Sequence, residues 1–346
     1  MPEERNQFVD SMRGVAMLLV VLGHTMTGCT AGAEESFLFN IVWSLQMPLF
    51  FLISGYVTRY SRGISDGAGL WAYCKRRTLA YLLPWIVWSF FVRGVVFRES
   101  AYWNVPWLLW HMDTGYWFLA SIWTISMVFG LSVFAARKLA KDATIKRQIF
   151  TTLLYLVGMG VLLGIGWLAG LSFFAMKLTL YYMPFYFAGY LYGQFRDRIL
   201  SAKWGKTAVE VTVAVCLAAW LFGMTRFRLY SLPDGGAWIL LRAALSLAGC
   251  IAVCGLCKGF FGGESALRQR IAAGLSWTGV HSLEIYLVHY LLLNLVKSAE
   301  LPPIGSMRGA ALVLGNYALT LALTALVVKL LHQNRMLRLV LFGKTK

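Results

Sequence analysis

The chain has 346 residues, of which 59% are hydrophobic and only 14% charged. A soluble domain carries roughly 25% charge and 45–50% apolar residues, so both a water-facing globule and a disordered chain are excluded. Six Cys are too few for a disulfide scaffold, and 32 Lys+Arg against 15 Asp+Glu give a net charge of +17 that must reflect either nucleic acid or membrane topology.

A helix needs about 20 mostly apolar residues to cross the hydrocarbon core. Ten stretches qualify, at approximately 12–31, 37–58, 78–97, 116–135, 149–170, 174–194, 207–224, 237–257, 276–296 and 309–331. The first is not read as a cleaved signal peptide: it follows Pro2, Glu3 and Glu4 and carries a His in its interior. With a cytoplasmic N-terminus, 24 of the 32 Lys and Arg fall on the inner side of these spans and eight on the outer. That bias predicts N-in, C-in topology. The cations recur in every second loop and do not gather on one face, so nucleic acid is not expected as a partner. Connections are short, and no internal repeat is visible. The expected fold is an all-α membrane protein, a bundle of about ten transmembrane helices forming a single integral-membrane domain over 1–346.

In a membrane protein the informative residues are polar ones inside spans. Asp10, Arg13 and His24 mark the first span. Arg13 and His24 are eleven residues apart, three turns plus about 20°, so they share one helix face, and Asp10 and Met17 fall on it too. The rise from Arg13 to His24 is about 16 Å. This places Arg13 near the cytoplasmic headgroups and His24 about halfway across. An imidazole, with an ordinary pKa of about 6.5, takes and returns a proton near neutral pH. A guanidinium at the cytoplasmic mouth holds an anion such as a phosphate. A long donor with a charged head and a reactive tip fits along this face. The plainer alternative is an interhelical hydrogen bond for His24 and a snorkelling Arg13.

The second span runs back from Trp43 through Gln46, Pro48, Ser54 and Gly55 to Tyr56. Gln46 is expected at the depth of His24. Pro48 frees a backbone carbonyl, and Ser54-Gly55 gives a small face for close helix approach. The outer loop at roughly 98–115 holds Trp103, Trp107, Trp110, His111 and Asp113, which are either interfacial anchors or acceptor contacts. Arg76 and Arg77 precede the third span, where they serve either a phosphate or anionic lipid. Cys250, Cys254 and Cys257 follow helical spacing with no other ligands nearby, so no metal is expected. Glu284 and His289 lie inside the ninth span, five residues apart and on different sides of a continuous helix, with Glu284 the stronger functional candidate.

Asp10-x-x-Arg13-Gly14 with Gly23-His24, followed by Met47-Pro48-Leu-Phe-Phe-Leu-Ile-Ser54-Gly55-Tyr56, resembles the integral-membrane acyltransferase family 3. Within it the pattern is most like the fucose 4-O-acetylase-like acetyltransferases. Lys75-Arg76-Arg77 running into Leu83-Pro84, Trp117-Phe118-Leu119, Met183-Pro184-Phe185 with Gly189 and Gly193, and Glu284-Ile-Tyr286-Leu-Val-His289 match in family order. The resemblance implies about ten transmembrane helices in a bacterial cytoplasmic membrane. It also implies transfer of an acyl group, commonly acetyl from acetyl-CoA as co-substrate, to a hydroxyl of a glycan or lipid-linked sugar.

On that resemblance His24 is the catalytic His and Arg13 the motif's basic residue, oriented by Asp10. Arg13, Arg76 and Arg77 are then the donor contacts, while Gln46, Ser54, Trp117, Glu284 and His289 position acceptor or thioester. No tightly bound cofactor is implied, and membrane lipids are the other expected partner. One departure stands out: Gln46 occupies a position where a His is expected before Met-Pro, and Gln cannot transfer a proton. The rival class is a transporter or flippase, with the intramembrane polar residues as a substrate or proton path; a structural subunit of an envelope complex is a third.

Overall fold

The structure, a computed structural model, describes residues 6–61, 63–112, 115–140, 144–261 and 265–344. Among them the secondary structure is helical, with a single isolated bridge between Ala31 and Pro303 and no strand. In chain order the helices are α1 (Gln7–Cys29), α2 (Phe37–Tyr56), α3 (Gly67–Arg77), α4 (Leu83–Ile86), α5 (Val105–Trp110), α6 (Trp117–Leu139), α7 (Thr144–Ala169), α8 (Met176–Ser201), α9 (Gly205–Arg226), α10 (Gly236–Phe261), α11 (Ala266–Val280), α12 (Ser282–His289), α13 (Met307–Leu331) and α14 (Arg335–Phe342).

The helix starts are written in the sequence. The Asn6 carboxamide oxygen accepts the Val9 N–H at 3.3 Å, and the Ser36 hydroxyl accepts the Phe39 N–H at 3.1 Å. Each satisfies a donor that the first helical turn leaves open. Pro48 lies inside α2, which stays helical from Phe37 to Tyr56.

Eight helical stretches in the described residues are long and apolar enough to cross a membrane: Gln7–Cys29, Phe37–Tyr60, Gly67–Val96, Trp117–Leu139, Ile145–Ala169, Gly205–Arg226, Gly236–Phe261 and Met307–Leu331. Three of the expected spans differ in form. The third begins at Gly67 rather than near residue 78, because the Asp66 carboxylate caps the Gly69 N–H at 2.7 Å and a polar first half is helical too. Lys75, Arg76 and Arg77, expected at the start of the third span, are therefore in the last turn of α3, within the longer helical stretch. The stretch 174–194 is helical within α8, but α8 carries Lys177, Arg196, Asp197 and Arg198 and is not among the eight. The stretch 276–296 is broken: α11 ends at Val280, α12 resumes at Ser282 for eight residues, and the chain leaves helical geometry at Leu293 and turns through Asn294 with φ +54°.

The chain forms two compact units, Met1–Tyr60 with Phe185–Leu330, and Ser61–Pro184 with Leu331–Lys346. In the first, α1 and α11 cross with backbone on backbone: a Cβ on Gly14 would overlap the Leu275 carbonyl, and one on Gly279 would overlap the Asp10 carbonyl. Small residues at a membrane helix crossing permit this approach. The Ser11 hydroxyl donates to the Ala272 carbonyl at 3.1 Å beside it. A second crossing of the same kind joins α2 to α8 at Gly55 and Gly189. Asn40 closes the C-terminal end of α9, donating to the Met224 and Phe227 carbonyls and accepting the Leu229 N–H.

In the second unit, three buried polar side chains bond from one helix to another. Tyr73 donates to the Ser126 carbonyl at 3.2 Å, Thr179 to the Ser121 hydroxyl at 3.0 Å, and Tyr155 to the Met183 carbonyl at 3.1 Å. The Trp88 indole N–H reaches the Leu341 carbonyl of α14 at 2.8 Å.

Candidate functional site

The α1 face carries three of the candidate residues in the first unit. Asp10, in the first turn, is only 6% exposed and lies 3.7 Å from the Arg13 guanidinium. A carboxylate is favoured there by the open N–H groups of the helix start. It pairs with Arg13 across one turn of α1. His24, eleven residues on, is exposed, although the residues on either side of it, Gly23 and Thr25, are buried.

The Gly14–Gly279 crossing brings α11, and with it α12, onto α1. Its consequence is a contact between two histidines: the His24 and His289 rings have centroids 5.6 Å apart and planes 37° apart. Tyr290 meets His24 edge-on at 5.8 Å, and Tyr286 lies 6.1 Å from His289. His289 is 1% exposed and its Nδ1 is 2.8 Å from the Ile285 carbonyl. Glu284, on the same short helix, is fully buried.

From α2, Gln46 comes over Gly23. A Cβ there would stand 2.8 Å from the Gln46 Oε1, which is buried with no hydrogen-bond partner among the described residues. Ser54 is half-buried one residue before the Gly55 crossing. So the structure brings together Asp10 with Arg13, His24 with His289, and Gln46 with the residue preceding His24.

The second unit holds the other expected residues. Arg77 lies over the Tyr73 and Tyr81 rings at 5.2 and 5.9 Å and donates to the Tyr81 hydroxyl at 3.2 Å, whereas Arg76 is exposed. Trp117, the first residue of α6, stacks on Tyr182 at 5.5 Å. His111 stacks flat on Trp107 at 4.7 Å and its Nδ1 faces the Trp107 carbonyl, and Asp113 lies outside the described residues.

Sequence reasoning ranked Glu284 above His289, yet His289 is the one that meets His24. It did not single out Tyr290, whose only sequence signal is its place next to His289. Both residues lie in the uninterrupted α12 and so still face different sides of it, yet both are buried, because α12 is enclosed on more than one side.

The sequence model of the acyltransferase domain of family 3 matches residues 6–329. The chain belongs to that family. It is therefore a membrane acyltransferase in family and in its run of apolar helices. Among curated proteins and among solved structures, nothing matches it. The match begins just before the Asp10–Arg13 pair and ends within α13, so it includes every candidate site residue.

Proposed function

We propose that this acyltransferase moves acetyl from cytoplasmic acetyl-CoA to a hydroxyl of a cell-envelope glycan or lipid-linked sugar, with His24 as general base. The observation that carries the reading is the α1 face: an ion-paired Arg13 and an exposed His24 about 16 Å further along one helix. This length suits a thioester arm reaching from a phosphate head at Arg13 to His24. The topology that goes with it is ten crossings of a bacterial cytoplasmic membrane with both termini inside, supported by the 24-to-8 distribution of cations.

In the proposed reaction His24 removes the acceptor hydroxyl proton as the oxygen attacks the thioester carbonyl. The C–O bond forms, the C–S bond breaks, and the CoA thiolate takes the proton back from the imidazolium. Asp10 sets the guanidinium of Arg13. Gln46 lies over Gly23, the residue before His24, and is proposed to position the reacting carbonyl with its amide, and Ser54 and Glu284 to shape the acceptor side. In the second unit, taken by itself, the exposed Arg76 and its neighbour Arg77 are proposed as phosphate contacts and Trp117 as an acceptor contact.

A transporter or flippase is the second reading. It is favoured by one observation, the broken α11–α12 pair with its buried Glu284, since discontinuous helices line paths through membranes. Proteoliposomes given labelled acetyl-CoA and envelope glycan separate the two. Label transferred to glycan supports the enzyme; glycan or CoA crossing the bilayer with no label transfer overturns it.

A further inference from the structure

The His289 imidazole carries its own account of which nitrogen holds a proton. Nδ1 stands 2.8 Å from the Ile285 carbonyl oxygen, which only accepts, so Nδ1 bears the hydrogen. A neutral imidazole has one N–H, which leaves Nε2 as a bare acceptor. That nitrogen is buried and has no hydrogen-bond partner among the described residues. Buried acceptors without a partner are rare in folded proteins and ask for a reason. The nearest ring with an N–H to give is His24, 5.6 Å away between centroids. Centroid-to-nitrogen is about 1.1 Å in an imidazole, so rings at this separation come within about 3.4 Å nitrogen to nitrogen once both nitrogens lie on the line between them; the structure does not make that bond, and a turn of the exposed His24 ring would close it.

The two rings are held in register from both ends of α1. Below them is the Gly14–Gly279 backbone crossing. Above them the segment after His289 is tied down. The Asn294 carboxamide lies on Gly28 and accepts from the Cys29 thiol at 3.0 Å, while Asn316 bonds both the N–H and the carbonyl of Val296. Exposure separates the roles of the two histidines: His24 is accessible and His289 is 1% exposed, so an acceptor hydroxyl reaches only His24.

We propose that His289 is the positioning residue for His24: its Nε2 accepts the N–H of the His24 imidazole and turns the other His24 nitrogen, unprotonated, toward the acceptor. This rests on the acyltransferase reading and deepens it. When His24 takes the hydroxyl proton, the imidazolium keeps one N–H bonded to His289, which gains no proton itself. The C–O bond forms, the C–S bond breaks, and the second imidazolium proton leaves with the thiolate sulfur as CoA thiol.

The test measures steady-state acetyl transfer by wild type, His24→Ala, His289→Leu and His289→Gln in proteoliposomes, with melting temperature and acetyl-CoA binding measured on each. Gln can place a carbonyl oxygen near the position of Nε2 and Leu cannot. The expected result is a kcat about 100-fold down in His289→Leu with the acetyl-CoA KM within about twofold, and recovery of about tenfold in His289→Gln. A kcat in His289→Leu within threefold of wild type overturns the proposal, and so does a folded His289→Gln as poor as His289→Leu. If the Leu variant does not fold, the Gln variant decides alone: transfer between about threefold and about 30-fold below wild type supports the role, and a smaller or larger loss overturns it. Failure of the acyltransferase reading is a different result, namely no transfer by wild type.

Discussion

The side-chain oxygen of Gln46 occupies the space above Gly23, 2.8 Å from where a Cβ would sit. Any side chain at 23 must therefore move the amide that lies over the residue before His24. Gly23→Ala is expected to lower acyl transfer about tenfold, because misplacing a positioning group by a fraction of an ångström is costly. Gln46→Ala is expected to lose about 100-fold, the loss seen when one polarising donor is removed. If the two act through one contact, Gly23→Ala adds nothing in the Gln46→Ala background. A double-mutant cycle on kcat reads this directly, and additive losses contradict it.

The Asp10–Arg13 pair is held to act on the donor. Asp10→Asn leaves the shape and removes the charge that sets the guanidinium. The acetyl-CoA KM is expected to rise about tenfold with kcat within about twofold, the pattern of lost uniform binding. Arg13→Lys is expected to be no better than Arg13→Ala within about threefold, since a point charge does not reproduce the planar fork. Initial rates across acetyl-CoA concentration check both.

The helix crossing gives a stability test with a built-in control. Gly274 and Gly279 lie on the same helix, α11; a Cβ on Gly279 overlaps the Asp10 carbonyl, whereas one on Gly274 meets nothing within 4 Å. Gly279→Ala is expected to destabilise by about 1–3 kcal/mol through overpacking. Gly274→Ala is expected to be neutral or to stabilise by up to about 1 kcal/mol from helix propensity. Thermal unfolding of both variants in one detergent gives the comparison.

Asn40 is the corresponding polar test. It is 1% exposed and spends its carboxamide on two carbonyls and one N–H at the end of α9. Asn40→Leu leaves those backbone groups buried without partners. The expected cost is about 1–3 kcal/mol, read as a lower melting temperature with acetyl-CoA affinity unchanged.

Much of this was legible in the sequence because membrane helices write themselves as long apolar runs, and because eleven residues of helix fix a shared face for Arg13 and His24. The role of Gly14 was not legible: it is quoted in a motif, but only the fold shows that Gly279 lies opposite it. The start of the third helix was missed because Asp66 caps a polar segment that an apolar window does not register. The break at His281 was missed because residues 276–296 are as apolar as a continuous span, and the stop depends on what α11 and α12 pack against. The pairing of His24 with His289 was beyond the sequence for a simpler reason: 265 positions separate them, and nothing in either local pattern names the other.

The most direct measurement of the central claim is acetyl transfer from labelled acetyl-CoA by His24→Ala at saturating donor, in proteoliposomes where the variant binds acetyl-CoA as wild type does. A general base at the reacting hydroxyl predicts a kcat reduced at least about 100-fold with donor affinity unchanged. Transfer by His24→Ala at the wild-type rate contradicts the assignment of His24 as the base, and with it the mechanism built along α1.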